Sequence, residues 1–323
     1  MSAESWRRSP LDGPGLMPAT SENKAGVIAG TICYAVWGFV PLFFQAIADY
    51  GAGPWEIMAH RIAWGSIAAG VLVLFAKQSG QVMAILRSPK TLGLLTLSAL
   101  LIAINWVVYI WAVTHGKTLD ASLGYYLVPL INVGAGALLF RERIGMAARI
   151  AIGVAAVGVV LQGVALGRVP IASLVLAIVW GGYGILRKRV NAEAQPGLLV
   201  ECLVLAIPAF GYIGWLEATH AGHLLPNPVS GLLLVAAGPI TAIPLALFAW
   251  AARRIPLSTM GFLQFIAPTL SFVIGAEEGE SLTPLRLASF AFIWIGVAIF
   301  AFAAWRKTRR VAASAAPSRA AAG

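Results

Sequence analysis

The chain has 323 residues, of which 59% are hydrophobic and only 11% charged, and its mean hydropathy is +0.83. A soluble domain carries about 25% charged residues, so a surface this poor in charge must face lipid and the chain reads as an integral membrane protein. The formal net charge of +10 sits in short clusters between apolar runs, a topology pattern that argues against a nucleic-acid partner.

A helix that crosses hydrocarbon needs about 20 mostly apolar residues. Residues 1–24, with Pro10, Pro14 and Pro18, read as a disordered cytosolic tail without the apolar stretch and cleavage site of a signal peptide. Spans are predicted at 25–47, 54–76, 91–113, 118–140 and 146–166. A second set follows at 169–186, 198–216, 230–252, 256–275 and 284–304, and residues 306–323 form a basic cytosolic tail. Proline and polar residues interrupt the fourth and ninth spans. No alternation of the outer-membrane barrel type appears, so the expected fold class is all-α with ten transmembrane helices. Cys33 and Cys202 both lie in apolar runs, which leaves no disulfide framework and no cysteine zinc site.

Placing both termini in the cytosol puts 19 of the 23 Lys and Arg residues inside, and only Lys117, Arg168 and Arg286 outside. That bias fits an even number of spans in a bacterial-type inner membrane. The chain also repeats itself. Trp37-Gly38 matches Trp180-Gly181, 143 residues later, and Trp111-Ala112 matches Trp250-Ala251 at an offset of 139. At that same offset Tyr125 meets Gln264 and Pro129 meets Pro268; one gap later Glu142 meets Glu280 and Gly158 meets Gly296. The implied units are residues 25–167 and 168–305, five spans each. Five is odd, so the second copy is inserted upside down, a common basis for alternating access around a midplane site.

The paired Trp-Gly signatures, the proline-centred fourth and ninth spans and the glutamates after them resemble the EamA repeat of the drug/metabolite transporter superfamily. Within it the chain is similar to the RarD, or chloramphenicol-sensitivity, permeases. The residues concerned are Glu56-Ile-Met-Ala-His60-Arg61-Ile-Ala-Trp64, Asn105-Trp106, Ala121-Ser122-Leu123-Gly124-Tyr125 and Arg187-Lys188. Ala194-Gln195, Leu257-Ser258-Thr259, Pro268-Thr269-Leu270 and Phe290-Ala-Phe-Ile-Trp294 add to them, so that the likeness spans residues 24–305. Asp120 departs from it where a glutamate is common, and Arg141 where a glycine is usual. The resemblance implies export or exchange of a small organic solute and names no substrate.

Charged groups inside hydrocarbon are costly and face a cavity or a partner. Glu56 and His60, four residues apart in the second span, share a helix face, and Arg61 points about 100° away. Arg61 either binds an anionic solute or pairs with a carboxylate from elsewhere. Glu56 and His60 either take part in proton coupling or form a structural pair. Asp120 opens the fourth span, as a complement to the helix dipole or as a solute or cation ligand. Glu201, early in the seventh span, is placed near the counterpart of Glu56, as a coupling or a capping group.

Pro129 and Pro268 each free a carbonyl one turn back, marking a hinge, a site lining or a packing kink. Trp37, Asn105, Trp106, Tyr109, Tyr125, Tyr126 and Gln264 are the aromatic and amide groups able to shape a pocket. For Asn105 and Gln264, helix–helix hydrogen bonding is the alternative. Glu142 and Glu280 read as structural, holding the turn into the next helix. His220-Ala-Gly-His223 has a metal-like spacing but only Glu217 nearby, so neither metal nor cofactor is expected. The expected partners are a small-molecule solute and membrane lipid, with the fifth and tenth helices as a scaffold or homodimer face. The rival class is an integral-membrane enzyme on a lipid-linked or small-molecule substrate; the chain has no Gly-x-Ser-x-Gly, His-Glu-x-x-His or phosphate loop to support it.

Overall fold

The computed structural model describes residues 21–139, 145–255 and 257–315, and every regular element among them is a helix. In chain order these are α1 (Ser21–Ala48), α2 (Pro54–Phe75), α3 (Ser79–Leu86), α4 (Pro89–Thr114), α5 (Thr118–Leu139) and α6 (Met146–Leu166). They continue with α7 (Ile171–Arg189), α8 (Ala194–Ala218), α9 (Pro228–Ala252), α10 (Leu257–Leu263), α11 (Ile266–Glu277) and α12 (Pro284–Ala315). Arg141 and Glu142 lie outside the described residues.

Local chemistry sets several boundaries. Pro54, Pro89 and Pro228 each occupy the first helical position, where a missing N–H costs nothing. The Asn227 side chain caps α9 by accepting from the Val229 and Ser230 amides at 2.8 and 3.3 Å. Gly167 closes α6 in the left-handed region, at φ +62°.

Eight helical stretches among the described residues are long and apolar enough to cross a membrane, and α5 and the shorter apolar α7 occupy the two remaining expected positions. Three features differ from the sequence reading. Between the second and third spans lies the short helix α3, in which only Ile85 is buried, too short a segment for hydropathy to register. The ninth span is broken into α10 and α11 by a turn at Gln264–Phe265. Pro268, in the first turn of α11, has no N–H to offer the Gln264 carbonyl, whereas α5 runs unbroken through Pro129. Lastly, α12 continues to Ala315, past the expected end of its span.

The loops gather at two ends. At the near end, where α1 begins, Gly26 abuts Ile255 and Arg254, and Gln78 bonds Glu193 at 2.6 Å. At the far end Gln45, late in α1, meets Thr118 at the start of α5. Three of the main helix pairings join matching elements of the two halves: α6 with α12, α2 with α8, and α5 with α11. The others are α1 with α9 beside α7 with α4, α1 with α11 beside α7 with α5, and α2 with α9 beside α8 with α4. Exchanging α1, α2, α4, α5 and α6 for α7, α8, α9, α10–α11 and α12 leaves this set unchanged.

The matched glycines explain how the pairs close. A Cβ on Gly38 would sit 2.6 Å from Leu270 of α11, and one on Gly181 would sit 3.1 Å from Ile131 of α5. Gly158 lies against Ser289 and Ile293 of α12, and Gly296 against Ala151 and Ala155 of α6. These are backbone approaches that a larger side chain would forbid. Gly158→Leu should therefore lower the thermal midpoint in detergent by overpacking, at a cost of about 1–3 kcal/mol. Gly153→Ala, at a position with open space around it, should leave the midpoint unchanged in the same melting experiment.

Candidate functional site

Arg61 is the eighth residue of α2, about 11 Å from the far-end start of that helix at 1.5 Å per residue. Pairing of α2 with α4 and α9 buries it to 9% exposure. Its Nε donates to Thr241 Oγ1 at 2.9 Å, and Thr241 in turn donates to the Ala237 carbonyl at 2.9 Å. The guanidinium lies 4.2 Å from the Trp106 ring centre and 5.4 Å from that of Phe44. Weakly hydrated and planar, it suits such aromatic faces. Among the described residues no carboxylate lies within ion-pair distance of Arg61.

Aromatic rings extend from this point across the bundle. Phe44 meets Tyr109, Tyr109 meets Tyr125, Tyr125 meets Trp180 and Trp180 stacks on Tyr183. The Tyr125 hydroxyl donates to Asn105 Oδ1 at 3.0 Å, leaving Asn105 Nδ2 buried without a partner. Trp37 stands at the edge of this region, against Tyr34 and Phe248.

A second buried charge faces the near end. Glu201 is the eighth residue of α8, so by helix position it corresponds to Arg61 and not to Glu56, the third residue of α2. It is 1% exposed. Ser98 of α4 meets its Oε1, Tyr183 donates to Oε2 at 3.2 Å, and Arg187 Nε stands 3.7 Å from Oε1.

The remaining candidates lie apart from these two. Glu56 does not pair with His60. Both its oxygens bind His223 in the α8–α9 loop, the backbone amide at 2.7 Å and Nδ1 at 2.8 Å. His60 Nδ1 accepts from Trp64 at 3.1 Å, and its Nε2 is buried without a partner. Glu217 accepts from the Leu224 amide at 3.0 Å, so the histidine loop is folded around carboxylates. Tyr126 turns towards α11 and α12, bonding Thr269 at 2.7 Å and meeting Phe265 and Trp294. Gln264 is half-buried in the α10–α11 turn.

Asp120 belongs to an ion-pair network at the far end, not to the Arg61 region. It takes Arg168 and Arg286, each at 3.1 Å, and Gln162 at 3.4 Å. Arg286 also reaches Glu280 at 3.4 Å, and Glu280 accepts the Leu119 amide in the first turn of α5 at 3.1 Å. Glu280 thus ties the segment between α11 and α12 to α5. Residue-type reasoning did not anticipate Thr241, Phe44, Ser98, Tyr183 or Arg187 as site partners. Threonine, serine and phenylalanine are ordinary inside apolar spans, and only the packing of distant helices singles them out.

The fold is that of a multi-pass helical membrane protein. Residues 24–163 match the EamA-like transporter family. A RarD protein of Streptomyces exfoliatus is 38% identical over 299 residues, covering 91% of this chain and 93% of its own length. An uncharacterized transporter of Pseudomonas aeruginosa is 40% identical over 295 residues, covering 91% and 98%. The RarD protein of Escherichia coli is 36% identical over 291 residues, covering 90% and 98%. A crystal structure at 21% identity covers 88% of this chain and 98% of its own with a TM-score of 0.56, a likeness of fold. The chain belongs to the EamA-like transporter family, in its RarD-type branch.

Burial pushes the Glu280 carboxyl up to about 7, against the opposing pull of the Leu119 amide and Arg286. Folded protein therefore holds this proton at pH values where the unfolded chain has lost it. The stabilisation is complete below the ordinary carboxylate value of 4.5 and is lost as pH rises through about 7. The thermal midpoint should fall between pH 5 and 8 for this reason, and Glu280→Gln should flatten that part of the profile. A profile that keeps its slope in the variant would assign the dependence to another group.

Proposed function

We propose that the chain is a secondary carrier that moves a small organic anion by alternating access, with Arg61 as the group that holds the anion. The observation that carries this reading is a buried guanidinium without a carboxylate partner among the described residues. One hydroxyl and two ring faces occupy only part of its donor capacity, since guanidinium presents five N–H groups in a fork that matches a carboxylate or sulfonate. The neighbouring aromatic rings suit the apolar body of such a solute, and the unpartnered Asn105 amide supplies a further donor.

The two halves, residues 25–167 and 168–305, move against one another around this region. The exchange-symmetric helix pairings support that division, as does the inverted repeat in the sequence. Orientation follows from charge: the near end, with α3, the α7–α8 loop and Arg253, carries the basic clusters and faces the cytosol of a bacterial inner membrane. Arg61 then lies towards the outside and Glu201 towards the inside.

Purified protein in liposomes, offered labelled lactate, succinate, benzoate and benzenesulfonate, tests the reading. Uptake of at least one of them should saturate, and Arg61→Gln should raise its half-saturation concentration about thirtyfold or more. That is the lower end of the about 2–5 kcal/mol lost when one member of a buried charge pair is truncated. Uptake in Arg61→Gln equal to that of the parent protein, at equal incorporation, would remove Arg61 as the anion site.

A further inference from the structure

Counted from their helix starts, Arg61 and Glu201 are the same residue of the second helix of each half, and they carry opposite charge. Each meets a hydroxyl from a pseudo-equivalent neighbour: Thr241 of α9 for Arg61, and Ser98 of α4 for Glu201. The two hydroxyls differ in their surroundings. A hydroxyl owns one hydrogen to donate and accepts through its lone pairs. Thr241 gives its hydrogen to the Ala237 carbonyl and accepts Arg61 Nε–H, so every atom is satisfied. Ser98 stands within bonding distance of two acceptors, the Leu95 carbonyl at 3.0 Å and Glu201 Oε1, with a single hydrogen for both.

The Leu95 carbonyl already receives a helical amide, so it makes no demand on the Ser98 hydrogen, and the same contacts accommodate Glu201 as a carboxylic acid. Its own O–H then donates to Ser98 Oγ, Ser98 donates to Leu95 as Thr241 does to Ala237, and Tyr183 donates to Glu201 Oε2. Arg187 makes no hydrogen bond to the carboxyl group. Its Nε, at 3.7 Å, is beyond hydrogen-bond reach of Oε1, and Nη2 is turned to the Glu193 carbonyl at 3.2 Å. Its guanidinium lies on the first turn of α8, in space that exists because residue 197 is glycine; a Cβ there would stand 2.2 Å from Nη1. The groups facing Glu201 are thus Arg187 and Tyr183 from α7, Ser98 from α4 and Cys202 beside it on α8. Arg61 of α2 lies within electrostatic range of Cys202; α9 offers Thr241 to Arg61, and α3 engages Glu193 through Gln78 and Gln81.

We infer that Glu201 is the proton-carrying group of the carrier, and that an anion on Arg61 and a proton on Glu201 cross the membrane together. This rests on the Arg61 reading for its anion half only. An ionised Glu201 repels an anion passing between Arg61 and the cytosol; a protonated one does not. Occupation of the two sites is therefore mutually favourable, and by linkage each ligand strengthens the other. One anion and one proton moving together carry no net charge across the membrane. Transport is electroneutral symport.

The full chain in liposomes gives two readouts. Infrared spectroscopy at neutral pH should show the carbonyl stretch of a buried carboxylic acid that Glu201→Gln removes and Arg61→Gln leaves in place. Ser98→Ala, which takes away the acceptor, should shift that band without abolishing it. The second readout uses benzenesulfonate, which stays ionised and cannot bring its own proton through lipid. With an entrapped pH dye, its entry should acidify the lumen, and it should accumulate about tenfold per unit of pH gradient regardless of an imposed potential. Glu201→Gln should accumulate none. A band unchanged by Glu201→Gln, or benzenesulfonate entry without acidification, would overturn the proposal. A band that Glu201→Gln removes, with no movement of lactate, succinate, benzoate or benzenesulfonate in the parent protein, would uphold Glu201 as the proton site and reject the anion reading at Arg61.

Discussion

A guanidinium held inside an apolar bundle, without a carboxylate partner among the described residues, is the constraint around which this structure is arranged. Removing a charge from water costs several kcal/mol, and an ion pair returns that cost only with good geometry and full hydrogen bonding. Arg61 has one hydroxyl, from Thr241, and two ring faces, from Phe44 and Trp106. Each of these partners comes from a different helix, so the charge is supported only when α1, α2, α4 and α9 are assembled. A purely structural cation of this kind would be a net burden. A cation that receives an anion, as proposed for Arg61, is not.

The other buried charges are arranged differently, which sets Arg61 apart. Asp120 is matched by Arg168 and Arg286, and Arg286 by Glu280, in a network that joins α5, the α6–α7 connection and the start of α12 at the far end. Glu56 is fully engaged by His223. At the exposed near end, Glu193 gathers Gln78, Gln81 and Arg253. These are clasps at the two mouths of the bundle, made of complementary groups. Between them, Arg61 and Glu201 occupy equivalent positions of α2 and α8 with unlike charge, and neither has a close opposite charge in hydrogen-bonding contact.

Much of the architecture was legible in the sequence because membrane insertion writes itself into composition. Apolar length located the spans, and the matched Trp-Gly, proline and glycine positions revealed the repeat. The structure supplies the reason for the glycines: Gly158 and Gly296 close the α6–α12 contact from its two sides, and Gly38 and Gly181 do the same for α1–α11 and α7–α5. The break between α10 and α11 was only half legible, since Pro129 and Pro268 look alike in sequence but only the second accompanies an interruption. Arg61, Glu201 and Asn105 stood out in the sequence as costly groups within apolar spans, and all three are buried in the structure. Partner choice was not legible. Glu56 and His60 share a helix face, yet Glu56 is taken by a histidine 167 residues away, and no spacing rule reports a contact of that range. The alignment of Glu201 with Arg61 likewise needed helix starts that hydropathy places only to within several residues.

The most direct test of the central claim asks whether the Arg61 charge serves the fold or the solute. Melting of the parent protein and of Arg61→Met in detergent, beside calorimetric titration with benzenesulfonate, separates the two. Methionine fills the space with no charge to desolvate, so the account predicts a midpoint equal to or above that of the parent, together with complete loss of binding. A midpoint well below the parent's, with binding retained, would show Arg61 to be a structural cation and contradict the account.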